Sequence, residues 1–95
     1  MRSVREASAF RKDFKRESKG VYRYVLKEEF WDIVAALASD VPLSPKYRDH
    51  ILAGEWEGCG ECHVKPDLLL IYLKDDDANA LHLLRLGSHS ELFGT

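Results

Sequence analysis

Proline, cysteine and methionine are scarce in this sequence (3, 2 and 1 residues), and its longest apolar run is the six residues "LLLIYL" at 68–73. A membrane-crossing helix needs about 20 apolar residues, so no segment is read as one. The first 20 residues, "MRSVREASAFRKDFKRESKG", break every apolar stretch with charge and leave no hydrophobic region of a signal peptide. A cytoplasmic location is the expectation, and in that compartment the two cysteines are expected as free thiols. No internal repeat, low-complexity tract, glycine-rich phosphate loop or G-x-S-x-G elbow occurs, so "GSHSELFG" at 87–94 is not read as a serine hydrolase site.

What is present is an ordinary globular balance, 45% hydrophobic and 32% charged over 95 residues, which fits one domain spanning 1–95. Net charge is −2, but residues 1–30 hold nine Lys/Arg against five Asp/Glu, a balance of +4, and residues 31–95 a balance of −6. The basic segment, with Arg11, Lys12, Lys15 and Arg16 on one expected helix, is the candidate to face phosphate. The simpler alternative is a solvated helix face.

Hydrophobic spacing gives the order of elements. "MRSVREA" (1–7) reads as a strand whose charges suit a sheet edge. Ser8 is the candidate N-cap of a helix through about Ser18, with Phe10 and Phe14 on one face and Gly20 as the stop. Leu26, Phe30, Ile33, Val34 and Leu37 predict a second helix over about 25–39, ending before Pro42. The segment 40–54, with Pro42 and Pro45, reads as a connection. Strands follow at 55–64, 68–73 and 80–87, separated by a turn at Lys65-Pro66-Asp67 and a hairpin loop at 74–79. In the first of these, period-2 placement puts Trp56, Gly58, Gly60, Cys62 and Val64 on one side. The expected class is therefore α+β, in the order β-α-α-β-β-β, with two N-terminal helices packed on a small, mainly antiparallel sheet. The C-terminal "ELFGT" is expected to be mobile.

Cys59-Gly60-Glu61-Cys62-His63 spells C-x-x-C-H, the attachment signature of a c-type haem. Attachment needs both thiols on one face, which i,i+3 spacing achieves on a helix; in a strand the two point to opposite faces. Glycines at 54, 58 and 60 each cost a helix about 1 kcal/mol against alanine, which favours the strand. No haem is expected. A structural zinc site wants four ligands in paired units, and one C-x-x-C with histidines scattered at 50, 63, 82 and 89 does not supply them. No metal or other cofactor is expected, and the cysteines read as incidental, with Cys62 toward the apolar side.

Taken together, "YRDHILAGEWEGCGECHVKPDLLLIYL" (47–73) followed by "LLRLGSHSELFG" (83–94) resembles the YafQ branch of the RelE-type toxins of bacterial toxin–antitoxin systems. The family pattern Y-x-D-H-x-L-x-G-x-W-x-G is met by Tyr47, Asp49, His50, Leu52, Gly54, Trp56 and Gly58. A second pattern, H-(V/I)-x-P-D followed by an aromatic and an apolar run to Tyr, is met by His63, Val64, Pro66, Asp67 and Tyr72, with Leu68 in place of the frequent aromatic. The third, R-x-G-(S/T)-H-x-x-L-F, is met by Arg85, Gly87, Ser88, His89, Leu92 and Phe93. The resemblance implies a RelE-like fold and a ribosome-dependent endoribonuclease that cuts translated mRNA and is silenced by a cognate antitoxin. It implies a catalytic set of His50, His63, Asp67, Arg85 and His89, with Phe93 as a platform for a base.

That set suits cleavage without a metal. A 2′-hydroxyl attacks the phosphodiester, one group takes its proton, and another protonates the 5′-oxygen. Histidine, with an ordinary pKa of about 6.5, supplies both protonation states near neutrality. Arg85 suits the charge developing on phosphorus, and Asp67 suits orienting a histidine or acting as a base. His50 and His89 are the leading proton-transfer pair, with His63 and Asp67 supporting; His82, outside the pattern, is taken as structural. The alternative is a non-catalytic binding protein of the same fold, such as a gyrase inhibitor of the ParE type or a relic that only binds an antitoxin.

Overall fold

The computed structural model describes residues 1–94. Strand β1 (Ser3–Glu6) leads into helix α1 (Ser8–Glu17) and, after a 3₁₀ turn at Val25–Lys27, helix α2 (Glu29–Ala38). Strands β2 (His50–Ile51), β3 (Gly60–Lys65), β4 (Leu68–Asp75) and β5 (Ala80–Gly87) follow, and helix α3 (His89–Phe93) is the last element among the described residues. The sheet order is β1-β5-β4-β3-β2. β2 to β5 form an antiparallel meander, and β1 pairs parallel to β5 at the edge, all four of its residues exposed. The expected α+β class and helix-on-sheet order hold.

Alternation along β3 and β4 assigns two faces. Cys62, Val64, Leu68, Leu70 and Tyr72 join Leu81, Leu83 and Leu86 under the helices. The helices contribute Phe10, Leu26, Phe30, Ile33, Val34, Leu37 and Ala38, so the i,i+3/i+4 spacing read from sequence is what buries them. Phe30 stacks on Phe10 with ring centroids 6.0 Å apart and meets Trp31 edge-on at 4.9 Å. The other face carries a smaller cluster, Leu69, Ile71 and Leu92, flanked by Leu52, Trp56, Cys59, Leu84 and Phe93.

Several boundaries differ from expectation for local reasons. Ala7, not Ser8, occupies the N-cap of α1, and no side chain caps it. The second helix is broken at Glu28 (φ −129°, ψ −76°), so 25–27 form a 3₁₀ turn and the α-helix starts at Glu29. Strand β3 begins at Gly60 rather than 55, because Gly54 and Gly58 adopt left-handed conformations (φ 75° and 88°) around a 3₁₀ turn at Gly54–Trp56. That break also ends the alternation, and Trp56 packs on the face opposite Cys62 and Val64. The connection 40–54 contains the two-residue strand β2. Within the stretch expected to be mobile, residues 91–93 belong to α3, which a capping box starts, with Ser88 Oγ accepting from the Glu91 N–H and Glu91 accepting from the Ser88 N–H; Thr95 lies outside the described residues.

Two bulges shape the open face. Val64 is the extra residue where β3 pairs His63 with Leu69 and Lys65 with Leu68. Leu84 is extra where β4 pairs Ile71 with Arg85 and Tyr72 with Leu83. Such bulges re-aim neighbouring side chains, and here they lie beside His63 and Arg85.

Candidate active site

Register places four residues in one row across the sheet: His50 opposite Glu61, Glu61 opposite Ile71, and Ile71 opposite Arg85. His63 lies in a second row, opposite Leu69, which is opposite Gly87. Because Cys62 and Val64 fill the core, Glu61 and His63 project to the open face.

Glu61 is the centre of this arrangement, and the residue-by-residue reading of the sequence passed it over. It is only 6% exposed, and its Oε1 lies 3.4 Å from His50 Nε2 and 3.6 Å from His63 Nε2. The two imidazole centroids are 6.4 Å apart. His50 donates its Nδ1–H to the Arg48 carbonyl at 2.7 Å, so both of its ring nitrogens face acceptors, the carbonyl on one side and Glu61 on the other. The His63 Nδ1 faces the Pro66 carbonyl at 3.4 Å, the long end of such a contact. The signal for Glu61 was available: in a strand where Cys62 and Val64 turn inward, the residues at 61 and 63 share the other face.

His50 is held from behind. The Tyr72 hydroxyl donates to Asp49, the residue before it, and burial together with that carboxylate pushes the Tyr72 phenol up, so it stays a donor. Gly60 makes room for this ring, since a Cβ there would sit 2.3 Å from Tyr72 Cζ. Beyond the Pro66 turn, Asp67 accepts from the His89 backbone N–H at 3.4 Å, which ties the β3–β4 turn to the start of α3. His89 is exposed and its ring lies 4.9 Å from that of Phe93, which is half-buried against the open-face cluster. The structure thus gathers His50, Glu61 and His63 in one contact group, and Asp67, His89 and Phe93 in another. Two strand spacings separate His63 from Gly87 near the second group, about 10 Å.

Arg85 is paired with Asp13 of α1. Its Nε donates to Asp13 Oδ2 at 2.6 Å, and the same carboxylate oxygen takes the Leu86 N–H at 3.0 Å. β1 pairs with β5 only as far as Leu83, so Asp13 satisfies a strand-edge donor beyond its reach. Burial works to raise the Asp13 pKa but is outweighed by the Arg85 bond, the Leu86 N–H and the charges of Arg85 and Arg16, which hold it below the usual range. Arg16 is bound into the same network, to Asp13 at 3.1 Å, Glu17 at 2.8 Å, Glu91 at 3.0 Å and the Leu86 carbonyl at 3.1 Å. Arg11, Lys12 and Lys15 are exposed on α1, whose layer covers the other face of the sheet from the histidines. Leu68, where the family pattern often has an aromatic, is fully buried under the helices. His82 bonds Asp75 at 3.1 Å, away from both groups.

Both cysteines are free thiols. Burial, aided by Asp49 and Glu61, pushes Cys62 far up, and burial raises Cys59. They belong to clusters on opposite faces of the sheet.

The model of the bacterial YafQ toxin of type II toxin–antitoxin systems matches residues 2–94. The chain belongs to the YafQ family. It is 44% identical over 54 residues to the mRNA interferase toxin YafQ of Escherichia coli K12, a segment covering 57% of this chain and 56% of that protein. The chain therefore aligns to little more than half the length of this curated relative. The metal-bound toxin from Helicobacter pylori superposes with a TM-score of 0.86 at 45% identity, covering 98% of this chain and all of that one. The YafQ chain of the E. coli DinJ-YafQ complex superposes with a TM-score of 0.80 at 33% identity, covering 99% and 100%. The RelE-like α+β architecture is shared with these toxins. Among the described residues, no group of three or more His, Cys, Asp or Glu side chains is arranged to hold a metal ion. Also among the described residues, no helix is long and apolar enough to cross a membrane.

Proposed function

We propose that this toxin is a ribosome-dependent endoribonuclease that cuts translated mRNA in the cytoplasm and is neutralised by a cognate antitoxin. One observation carries the reading: two imidazoles present Nε2 to the same buried carboxylate on the uncovered face of the sheet. A gyrase inhibitor or an antitoxin-binding relic has no use for such a proton-transfer group. The name of the E. coli relative, an mRNA interferase, and the complex of another relative with DinJ support the substrate and the partner.

In this mechanism the ribose 2′-oxygen attacks phosphorus and the 5′-oxygen leaves, giving a 2′,3′-cyclic phosphate and a 5′-hydroxyl. His50 and His89 are the transfer pair: one takes the 2′-hydroxyl proton and the other protonates the 5′-oxygen. Glu61 fixes the ring of His50 on the reacting side and aligns His63 beside it. Asp67, bonded to the His89 N–H, sets the start of α3. Arg85 meets the charge on phosphorus from a guanidinium braced by Asp13. Phe93, against the His89 ring, stacks on a base. Arg11, Lys12 and Lys15 approach ribosomal RNA with the helix layer, while Arg16 is committed to the fold.

Primer extension on translated message tests the reading, comparing wild type with His89→Ala. Cuts at ribosome-bound codons that the variant fails to make are expected. Unaltered cutting by the variant would remove His89 from the chemistry, and growth arrest with intact message and damaged DNA would favour the gyrase inhibitor.

A further inference from the structure

A cleft of about 270 Å³ opens beside the histidine pair, between the 3₁₀ turn Pro45–Tyr47 and the end of β3. His63 lines one wall, so the cleft and the candidate reaction centre share a side chain. The centre touches the same rim a second time, since the Arg48 carbonyl holds His50 Nδ1. Arg48 itself sits in the left-handed region (φ 49°), an uncommon conformation for a residue with a side chain.

The lining has the composition of a single-strand nucleic acid subsite. Lys46, Arg48 and Lys65 stand against one carboxylate, Glu29, a balance of +2 in a chain whose net charge is −2. Glu29 is already satisfied: Lys65 Nζ lies 2.9 Å from it and the Tyr47 hydroxyl donates to it at 2.7 Å. The Lys65 bond, then the Tyr47 bond, hold Glu29 below the usual carboxylate range against a smaller effect of burial, and Tyr47 is pushed up to about 12. The charge of Lys65 is thereby offset, which leaves Lys46 and Arg48 as the cations for a ligand. Lys46 rides over the Tyr47 ring at 5.0 Å, and the exposed Pro66 adds an apolar edge to the lining. Cations beside an aromatic face and an apolar edge suit a phosphate joined to a base. The volume is below the roughly 300–1,000 Å³ of drug-sized ligand clefts, which limits the occupant to about one nucleotide.

We propose that this cleft holds the mRNA nucleotide next to the cut, with Lys46 and Arg48 gripping the phosphate adjoining the scissile one and Tyr47 packing its base or sugar. This rests on the endoribonuclease reading above, because the neighbour is defined by the cut. The cleft then contributes to where the toxin cuts, in addition to the groups that do the cutting.

The test uses the full chain and a 2′-O-methyl RNA trinucleotide, which lacks the nucleophilic hydroxyl and cannot be cleaved. Titration followed by amide NMR is expected to shift Lys46, Tyr47, Arg48, His63 and Lys65 together. Lys46→Ala with Arg48→Ala is expected to weaken binding about tenfold and to flatten the slope of log affinity against log salt by about 0.7 per cation lost. In ribosome-bound cleavage the same pair is expected to raise KM more than it lowers kcat and to redistribute the cut positions. Shifts confined to another surface, or a pair variant that binds and cuts as wild type does, would overturn the subsite. So would a pair variant that loses antitoxin binding while keeping RNA binding, which assigns the cleft to the antitoxin. Wild type that binds the trinucleotide here but leaves translated message intact removes the nuclease reading and leaves a nucleotide-binding cleft.

Discussion

The two faces of the sheet are built from the same strands to opposite ends. On β4, Leu68, Leu70 and Tyr72 enter the helix-covered core, while Leu69 and Ile71 support the open side. On β3 the same alternation sends Cys62 and Val64 inward and Glu61 and His63 outward. The covered face holds the aromatic packing of Phe10, Phe14 and Phe30; the open face buries few apolar side chains and carries the imidazoles and the acid between them. On β3 and β4 the core and the candidate site are therefore separable by residue parity. Asp13 is the exception, since it leaves a helix of the covered layer to hold Arg85, in the row of His50 and Glu61.

The separation breaks most visibly in a pair of measurements on one variant. His50→Ala is expected to slow cleavage about 10²–10⁴-fold while moving stability by no more than about 0.5 kcal/mol, read from a urea titration. A comparable loss of stability would mean that the open face carries fold energy after all. The mirror variant is Phe30→Ala, whose side chain is fully buried in the core, and which is expected to cost about 3–5 kcal/mol. Its activity per folded molecule is expected to remain near wild type.

Asp13 sharpens the comparison at the seam. Asp13→Asn is expected to cost about 1–3 kcal/mol at pH 7, moderated by the partial exposure of Arg85 and Arg16. The folded pKa lies below the unfolded value of about 3.9, so the carboxylate's contribution is complete above that value. It is lost as pH falls through the folded pKa, and the variant is expected to show a flatter acid limb in thermal melts between about pH 5 and 2. The smallest effect belongs to Lys15, exposed on α1: Lys15→Ala is expected to leave stability within about 0.5 kcal/mol and to weaken only ribosome association, most at low salt.

Much of the fold was legible because it depends on repeating signals. Helical spacing from Leu26 to Leu37 and the apolar run at 68–73 both marked buried side chains, all but Leu73 of the run. The losses came where single residues decide the path. The left-handed glycines at 54 and 58 cut short a strand whose alternation looked continuous, and Glu28 interrupted a helix whose period did not. The start of α3 was written in Ser88 and Glu91, a capping box that reaches into the stretch read for mobility. In the site, motif spacing pointed to residues without stating their neighbours. Arg85 finds Asp13, 72 positions away, and Glu61 meets His50 through a pairing with the two-residue strand β2. Neither contact has a local signature.

The most direct measurement is the chemistry of the ends that the toxin leaves on ribosome-bound message. Attack by the 2′-oxygen with histidine proton transfer predicts a 2′,3′-cyclic phosphate upstream and a 5′-hydroxyl downstream, with both absent for His50→Ala. A 3′-hydroxyl and a 5′-phosphate at the cut would contradict the account, because water rather than the neighbouring ribose would then be the nucleophile.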